Sequence, residues 1–220
     1  SKLYTSFYNT LSSQNKEVTY PEVGQEYEFG EGSFTVLGPT QIRDDSNNNS
    51  VVVRLDYGDT SFLFTGDAES KEEKDIIAAN EDLYCDVLSV GHHGSASSTS
   101  WDFLEAVLPE YAVISCGVNN SYGHPDPDTI EKLESIEAQI FRTDLQGNII
   151  AISDGETITW NNVPSNGEVL YAADFVSVKE EPNDTSSTVG ELGPGNQIQV
   201  LNRDDDGWAT IVFNGATTYI

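Results

Sequence analysis

Hydrophobic and polar positions alternate along this chain with two periods. Residues 3–14 place Leu3, Phe7, Tyr8 and Leu11 on one helical face. Short strands are predicted at 27–29 and 34–37, around the turn Gly30-Glu31-Gly32. The polar run at 44–50 (DDSNNNS) is a loop. Residues 51–55 and 61–64 then form a hairpin across Tyr57-Gly58-Asp59. A helix is predicted at 70–80, opened by a capping box from Ser70 to Glu73. The apolar runs at 86–90 and 111–115 read as strands, with a short helix at 101–107 between them. Asp126-Pro127-Asp128 starts a helix reaching about residue 138, with Pro near the first helical position. Strands at 140–142, 149–152 and 157–160 follow. Strands alternating with helices through 60–140 predict a layered α/β fold with parallel neighbours. Strand 86–90 has the unbroken apolar texture of a strand buried on both faces. Beyond the polar linker at 161–167 only short β-like runs remain, punctuated by Gly and Pro at about ten-residue spacing. That texture predicts a small all-β barrel. The expected units are therefore residues 1–163 and 164–220.

Charge narrows the choice of partners. The 220 residues carry 37 Asp plus Glu and 10 Lys plus Arg, a formal charge of −27. Nine acidic and two basic residues lie after residue 163, so −7 of the charge sits there and −20 before it. Acidity belongs to the whole surface. It argues against a nucleic-acid or anionic-membrane surface, which needs a basic patch. It suits a protein in a salty or extracellular setting, or one that offsets its charge with divalent cations. No apolar run approaches the ~18–20 residues of a membrane span. The chain starts at Ser1 and contains no Met, from which we expect that a segment precedes it; no signal peptide is in view.

Cys85 opens one predicted strand and Cys116 closes its neighbour. Parallel pairing would hold the two roughly 15 Å or more apart by strand rise, beyond the ~7 Å between Cα atoms that a disulfide tolerates. Two free thiols are expected.

Chemistry in an α/β sheet gathers where strands reach their carboxyl edge. Strand 61–64 runs into Thr65-Gly66-Asp67, and strand 86–90 into Gly91-His92-His93-Gly94-Ser95. Strand 111–115 runs into Cys116-Gly117-Val118-Asn119-Asn120, then Tyr122-Gly123-His124-Pro125. All three histidines thus fall on one edge with an Asp. Each piece alone has an ordinary reading: a turn for Gly-Asp, a surface pair for His-His, a capped turn for His before Pro. Together, with no other His in the chain, they point to a metal-linked site. Carboxylate and imidazole donors suit Zn²⁺ or a similar ion.

These residues resemble a known family. Residues 1–160 are similar to the C-terminal half of the metallo-β-lactamase fold, in the branch of ComEC-type competence proteins. The resemblance rests on Asn49-Ser50-Val51-Val52, Phe64-Thr65-Gly66-Asp67 with Glu69, His92-His93-Gly94-Ser95, Ile114-Ser115-Cys116-Gly117, Asn120-x-Tyr122-Gly123-His124-Pro125, and Arg142-Thr143-Asp144-x-x-Gly147. It implies half of an αββα sandwich and a site for two divalent metal ions, Zn or alternatively Mn. Asp67 would bridge the ions. One of His92 and His93 would ligate, with His92 favoured because it directly follows the strand. His124 would contact a phosphate or leaving group, and Tyr122 is a further catalytic candidate. Ser95, Asn120 and Arg142 would contact substrate. The family's His-x-His-x-Asp-His motif is absent, since no His precedes His92. Asp67 with one or two His falls short of the three protein ligands of a catalytic zinc. We therefore expect an N-terminal half of the fold, on the same polypeptide or a separate one. A free-standing half would expose a large apolar sheet face.

Residues 167–220 resemble a bacterial Src-homology-3-like domain. The matching segments are Ala173 through Lys179, Pro182 to Ser187, Gly190-Glu191-Leu192, Pro194-Gly195, Val200-Leu201, Asp206-Gly207-Trp208 and Phe213-Asn214-Gly215. The resemblance implies binding of cell-wall peptide, with Tyr171, Trp208 and Tyr219 lining a groove. Trp208 as barrel core is the competing reading. Two functions emerge. One is a secreted, wall-associated metal-dependent hydrolase, cleaving a phosphodiester as the competence-protein resemblance implies. The other is a non-catalytic wall-binding or scaffold protein with a degenerate metal site.

Overall fold

The computed structural model describes residues 2–80, 82–166, 168–203, 206–213 and 216–220. Ser1, Gly167, Asn214 and Gly215 of the motifs above lie outside them. The chain begins with α1 (Lys2–Ser13), then β1 (Glu26–Phe29), β2 (Gly32–Gly38), β3 (Val52–Tyr57) and β4 (Thr60–Phe64). Next come α2 (Ser70–Ala79), β5 (Val87–Ser89), α3 (Trp101–Val107), β6 (Tyr111–Ile114), α4 (Pro127–Ser135), β7 (Gln139–Arg142) and α5 (Thr143–Gln146). The hairpin β8 (Ala151–Ser153) and β9 (Ile158–Trp160) follows.

Strands β1 to β7 form one sheet in chain order. The first four pair antiparallel and β4 to β7 pair parallel, so this is a mixed α/β fold with a large sheet. The register explains its two faces. Leu63, Leu88, Ala112 and Ile140 are aligned across four strands. All four are buried in a core closed by Ile76 of α2, Phe103, Leu104 and Val107 of α3, and Leu133 of α4. Side chains one position away point to the other face, as strand periodicity requires. That face carries an open groove of about 590 Å³, lined by Phe29, Leu55, Phe62, Phe64, Val113 and Trp160 among others. The hairpin β8–β9 covers one end of it, where Trp160 stacks on Phe141 at 4.2 Å between ring centroids. Strand 86–90 was expected to be buried on both faces. Val87, Leu88 and Val90 are buried and Ser89 is half-buried, with Val87 and Ser89 lining the groove. Helix α1 buries none of its residues.

Both cysteines are free, and β5 and β6 are parallel neighbours. The capping box is not formed. Glu69 takes the N-cap of α2, and its own side chain does not cap that end; the Asn48 side-chain oxygen accepts from Glu72 N–H there. The Glu73 carboxylate reaches instead to the loop before α3, accepting from the N–H groups of Thr99 and Ser100. Helix α4 starts as expected, with Asp126 accepting from Asp128 N–H and Pro127 in first position, but ends three residues early.

A second unit follows: β10 (Glu168–Tyr171), β11 (Val176–Lys179), β12 (Thr188–Leu192), β13 (Gln197–Arg203), β14 (Ala209–Phe213) and β15 (Ala216–Tyr219). These pair antiparallel in the order β10-β13-β14-β15-β11-β12. They enclose a core of their own containing Val178, Ile198, Val200 and Ile211.

One buried carboxyl couples stability to pH. Glu72 is 1% exposed, and neither of its oxygens meets a donor in hydrogen-bond geometry. Burial pushes its pKa up to about 7 from 4.5. Below the lower value both folded and unfolded chains hold the proton. As pH rises toward 7 the unfolded chain releases it first, so stability falls across that window. Glu72→Gln should therefore be more stable than the parent at pH 8 by about 1–3 kcal/mol and little different at pH 4. Urea unfolding at the two pH values measures this.

Candidate functional site

Four segments meet at the carboxyl edge of β4 to β7. The first follows β4. Thr65 is buried and donates its hydroxyl to Ser89 C=O at 2.8 Å, tying this turn to the end of β5. Gly66 takes a positive φ of 55° and passes close to Ser50, whose hydroxyl accepts from Asp67 N–H at 3.1 Å. Asp67 is thus presented from a turn held on both sides. Its carboxylate is about half exposed.

The second follows β5 and is the tightest backbone in the site. Gly91 approaches so closely that a Cβ would stand 3.1 Å from Ala68 C=O. His92 and His93 both adopt left-handed φ, 48° and 59°, a conformation that costs non-glycine residues about 1–3 kcal/mol each. The surroundings hold them there. His92 N–H donates to Gly66 C=O at 2.9 Å, Gly91 C=O accepts from the Ser98 hydroxyl at 2.7 Å, and Gly94 C=O accepts from Asp126 N–H at 2.8 Å. Consecutive left-handed residues send the two rings different ways. His93 Nε2 lies 3.7 Å from Asp67 Oδ1. Its Nδ1 lies 2.7 Å from Ser115 C=O; a carbonyl only accepts, so Nδ1 carries a proton, and in the neutral ring Nε2 offers its lone pair beside Asp67. His92 turns to Glu69, with Nδ1 3.3 Å from Oε1.

The third segment follows β6. His124 meets His92 edge-on at 5.8 Å between centroids, and Tyr122 stacks on His124 at 5.9 Å. Tyr122 is exposed. Asn120 shapes this loop from within: its oxygen accepts from Tyr122 and His124 N–H, and its amide donates to the C=O groups of Gly117 and His124. The fourth follows β7, where Arg142 forms a two-bond pair with Asp144 at 3.1 and 2.7 Å. The guanidinium holds the Asp144 carboxyl below its ordinary range.

The structure thus gathers Asp67, His92, His93, His124 and Tyr122. Asn120 is beside them, with its side chain committed to its own loop. Ser95 is buried, its hydroxyl 3.0 Å from that of Ser97. Arg142 is committed to Asp144. In the second unit Tyr171 is exposed and Trp208 and Tyr219 are half-buried. Tyr171 on β10 and Tyr219 on β15 are separated in the sheet by β13 and β14. Sequence reasoning named Glu69 only as part of the Asp67 motif and gave it no role, and it missed Asn47, Asn48 and Ser97, which each donate to the Glu69 carboxylate.

Among the described residues no three His, Cys, Asp or Glu side chains come together to hold a metal ion. Asp67 and His93 suit a divalent ion in donor type, with a lone pair already directed, and fall short in number.

The chain belongs to a known family. The metallo-beta-lactamase superfamily model matches residues 5–118, and the chain belongs to that superfamily. The matched span contains Asp67, His92 and His93 and ends before Tyr122, His124 and Arg142. The chain is 38% identical over 117 residues to ComE operon protein 3 of Bacillus subtilis, covering 53% of this chain and 15% of that protein. It is 38% identical over 125 residues to competence protein ComA of Neisseria gonorrhoeae, covering 56% and 18%. Recombination protein 2 of Haemophilus influenzae is 36% identical over 133 residues, covering 60% and 16%. The chain therefore corresponds to under a fifth of each relative's length.

Gly94 tests the architecture of this edge. Its φ is +79°, and a Cβ there would stand 2.7 Å from Pro125 Cβ. Gly94→Ala should destabilise the protein by about 1–3 kcal/mol in urea unfolding and shift the ring resonances of His92 and His93.

Proposed function

We propose that this chain carries one half of a divalent-metal hydrolase site that cleaves a phosphodiester, in a secreted, wall-associated protein. The observation that carries the reading is the pairing of Asp67 with His93 Nε2, both half-exposed at one opening, with His124 and Tyr122 alongside. Asp67 and His93 would hold the ion, which makes His93 rather than His92 the donor from the histidine pair. Bound divalent ions supply a water that ionises near neutral pH. The chain's own groups do the rest. His124 holds or moves a proton at the leaving oxygen. Tyr122 lies alongside His124 with its ring nearly parallel, 5.9 Å away between centroids. His92 supports His124 edge-on. The names of the relatives, competence and recombination proteins, support a phosphodiester as the bond cleaved. The charge of −27 favours a small or wall-linked phosphodiester over extended nucleic acid.

The remaining donors would come from the first half of the fold, on the same polypeptide or a separate one. The open apolar face of the large sheet supports this, because soluble proteins seldom leave such a surface uncovered. Among the described residues no helix is long and apolar enough to cross a membrane.

The test is hydrolysis of bis(p-nitrophenyl) phosphate by the protein together with that first half. Chelator should abolish it, and Zn²⁺ or Mn²⁺ should restore it. Asp67→Ala should lower kcat by more than ~100-fold, beyond the loss typical of an outer contact. Activity unchanged in Asp67→Ala would end the metal-hydrolase reading. A second reading, a non-catalytic scaffold, is favoured by the absence of a three-donor group among the described residues. It requires a protein that neither retains metal nor turns over substrate.

The second unit is read as a Src-homology-3-like module for cell-wall peptide, supported by its six short antiparallel strands and the exposed ring of Tyr171. Tyr171→Ala should weaken retention on cell-wall peptide by ~10-fold or more in a pull-down titration.

A further inference from the structure

We infer that Lys132 of α4 and Glu73 of α2 are positioning residues: together they grip the backbone at Thr99 and, through Ser98, hold the His92–His93 turn in its left-handed form. The inference deepens the hydrolase reading and rests on it for its catalytic meaning; its geometry stands without it.

The loop at 94–100 joins the histidine turn to α3, and its backbone is one that local sequence does not favour. Thr99 takes a φ of +55°. A β-branched residue is strained in that region and stays there only when its surroundings hold it. Ser98 and Thr99 are each 1% exposed, so water does not satisfy their peptide groups.

Two helices satisfy them. Helix α4 offers donors three residues apart, on one face. Asp126 N–H, at the N-cap, donates to Gly94 C=O at 2.8 Å. The Thr129 hydroxyl donates to Ser95 C=O at 3.3 Å. Lys132 Nζ donates to Thr99 C=O at 2.6 Å and to Ser98 C=O at 3.4 Å. Helix α2 offers the acceptor. Glu73, 2% exposed, accepts from Thr99 N–H and, at 2.9 Å, from Ser100 N–H. The two peptide units that flank Thr99 are therefore treated alike: each has Lys132 on its carbonyl and Glu73 on its N–H. Fixing both planes fixes both dihedral angles of the residue between them. Hydrogen bonds to charged groups are the stronger kind, and all four here are of that kind.

The grip reaches the histidines through Ser98. Its hydroxyl donates to Gly91 C=O at 2.7 Å, with Ser95 C=O a second acceptor at 3.0 Å. The Gly91 carbonyl belongs to the peptide that enters His92, and Ser95 N–H closes the turn on His92 C=O at 3.0 Å. Releasing Thr99 would release Ser98, and with it the turn that aims His93 at Asp67. A misplacement of about 1 Å far from the chemistry can cost ~100-fold in rate.

The test uses the full chain, labelled with ¹³C and ¹⁵N and free of metal, at pH 7. The ¹³Cα and ¹³Cβ shifts of His92 and His93 report their backbone geometry, and amide exchange reports the grip on Thr99. In the parent, the Thr99 and Ser100 amides should exchange far more slowly than that of exposed Ala96. Lys132→Met keeps the apolar stem and removes the ammonium. It should speed exchange at both amides by ~10–100-fold and move the His92 and His93 shifts toward right-handed values. Glu73→Gln should move the same shifts in the same direction, and the double variant no further than the larger single one. Leu133→Val, a core change on the same helix, should leave them in place. With the first half of the fold present, Lys132→Met should lower kcat for bis(p-nitrophenyl) phosphate by ~10–100-fold with little change in KM. Parent Thr99 and Ser100 amides that exchange as fast as Ala96 overturn the inference, and that result needs no variant to fold. So do histidine shifts unmoved in a folded Lys132→Met, moved equally by Leu133→Val, or simply additive in the double variant. The spectra need neither metal nor turnover, so a protein without hydrolase activity sinks the reading of function and leaves the roles of Lys132 and Glu73 standing.

Discussion

Parallel strands deliver every following loop to the same edge of a sheet, and the candidate site depends on that constraint. β4, β5, β6 and β7 pair in order, all running one way. The turns after them carry Asp67, the His92–His93 pair, His124 and Arg142. The four turns lie far apart in the chain, and no ion pair between them would suffice to assemble the fold. The aligned row Leu63, Leu88, Ala112 and Ile140 does so, by burying one face against three helices. The site is a consequence of where that row places the strand ends.

The same sheet has a second face with a different fate. Its row passes through Phe64, Ser89, Val113 and Phe141. Among the described residues the β8–β9 hairpin, through Trp160, covers part of it. The remainder of that face stays open as the groove lined by Phe29, Leu55, Phe62 and Phe64.

Carboxylates outnumber cations in this chain, and those in the first unit are differentiated by what surrounds them. Asp86 accepts from both the N–H and hydroxyl of Ser61, joining β4 to the start of β5. Glu73 ties α2 to the loop before α3, and burial raises its pKa. Glu72, one residue earlier, is buried without such donors and is pushed toward neutrality. Glu69 turns away from its own helix end and toward Asn47, Asn48, Ser97 and His92. Four acidic side chains thus serve as a strand tie, a loop tie, a neutralised core group and a brace, according to whether donors or apolar atoms meet them.

The sequence by itself determined the alternation of strands and helices through the first unit, the parallel order of its strands and the edge on which Asp67 and the three histidines fall. These follow from local periodicity and from the rule that parallel strands end together. It also determined that the two thiols stand apart, because they cap opposite ends of neighbouring strands. Only the tertiary structure decided which histidine faces Asp67. Residues 92 and 93 are adjacent, and their left-handed backbone is imposed by hydrogen bonds from Gly66, Ser98 and Asp126, all distant in the chain. The capping box from Ser70 to Glu73 failed for the same reason. Its Glu found better donors at Thr99 and Ser100, which no local pattern around residue 70 could announce. The partners of Glu69 stayed hidden because Asn47, Asn48 and Ser97 lie in polar loops without periodicity and meet that carboxylate only once the loops have come together.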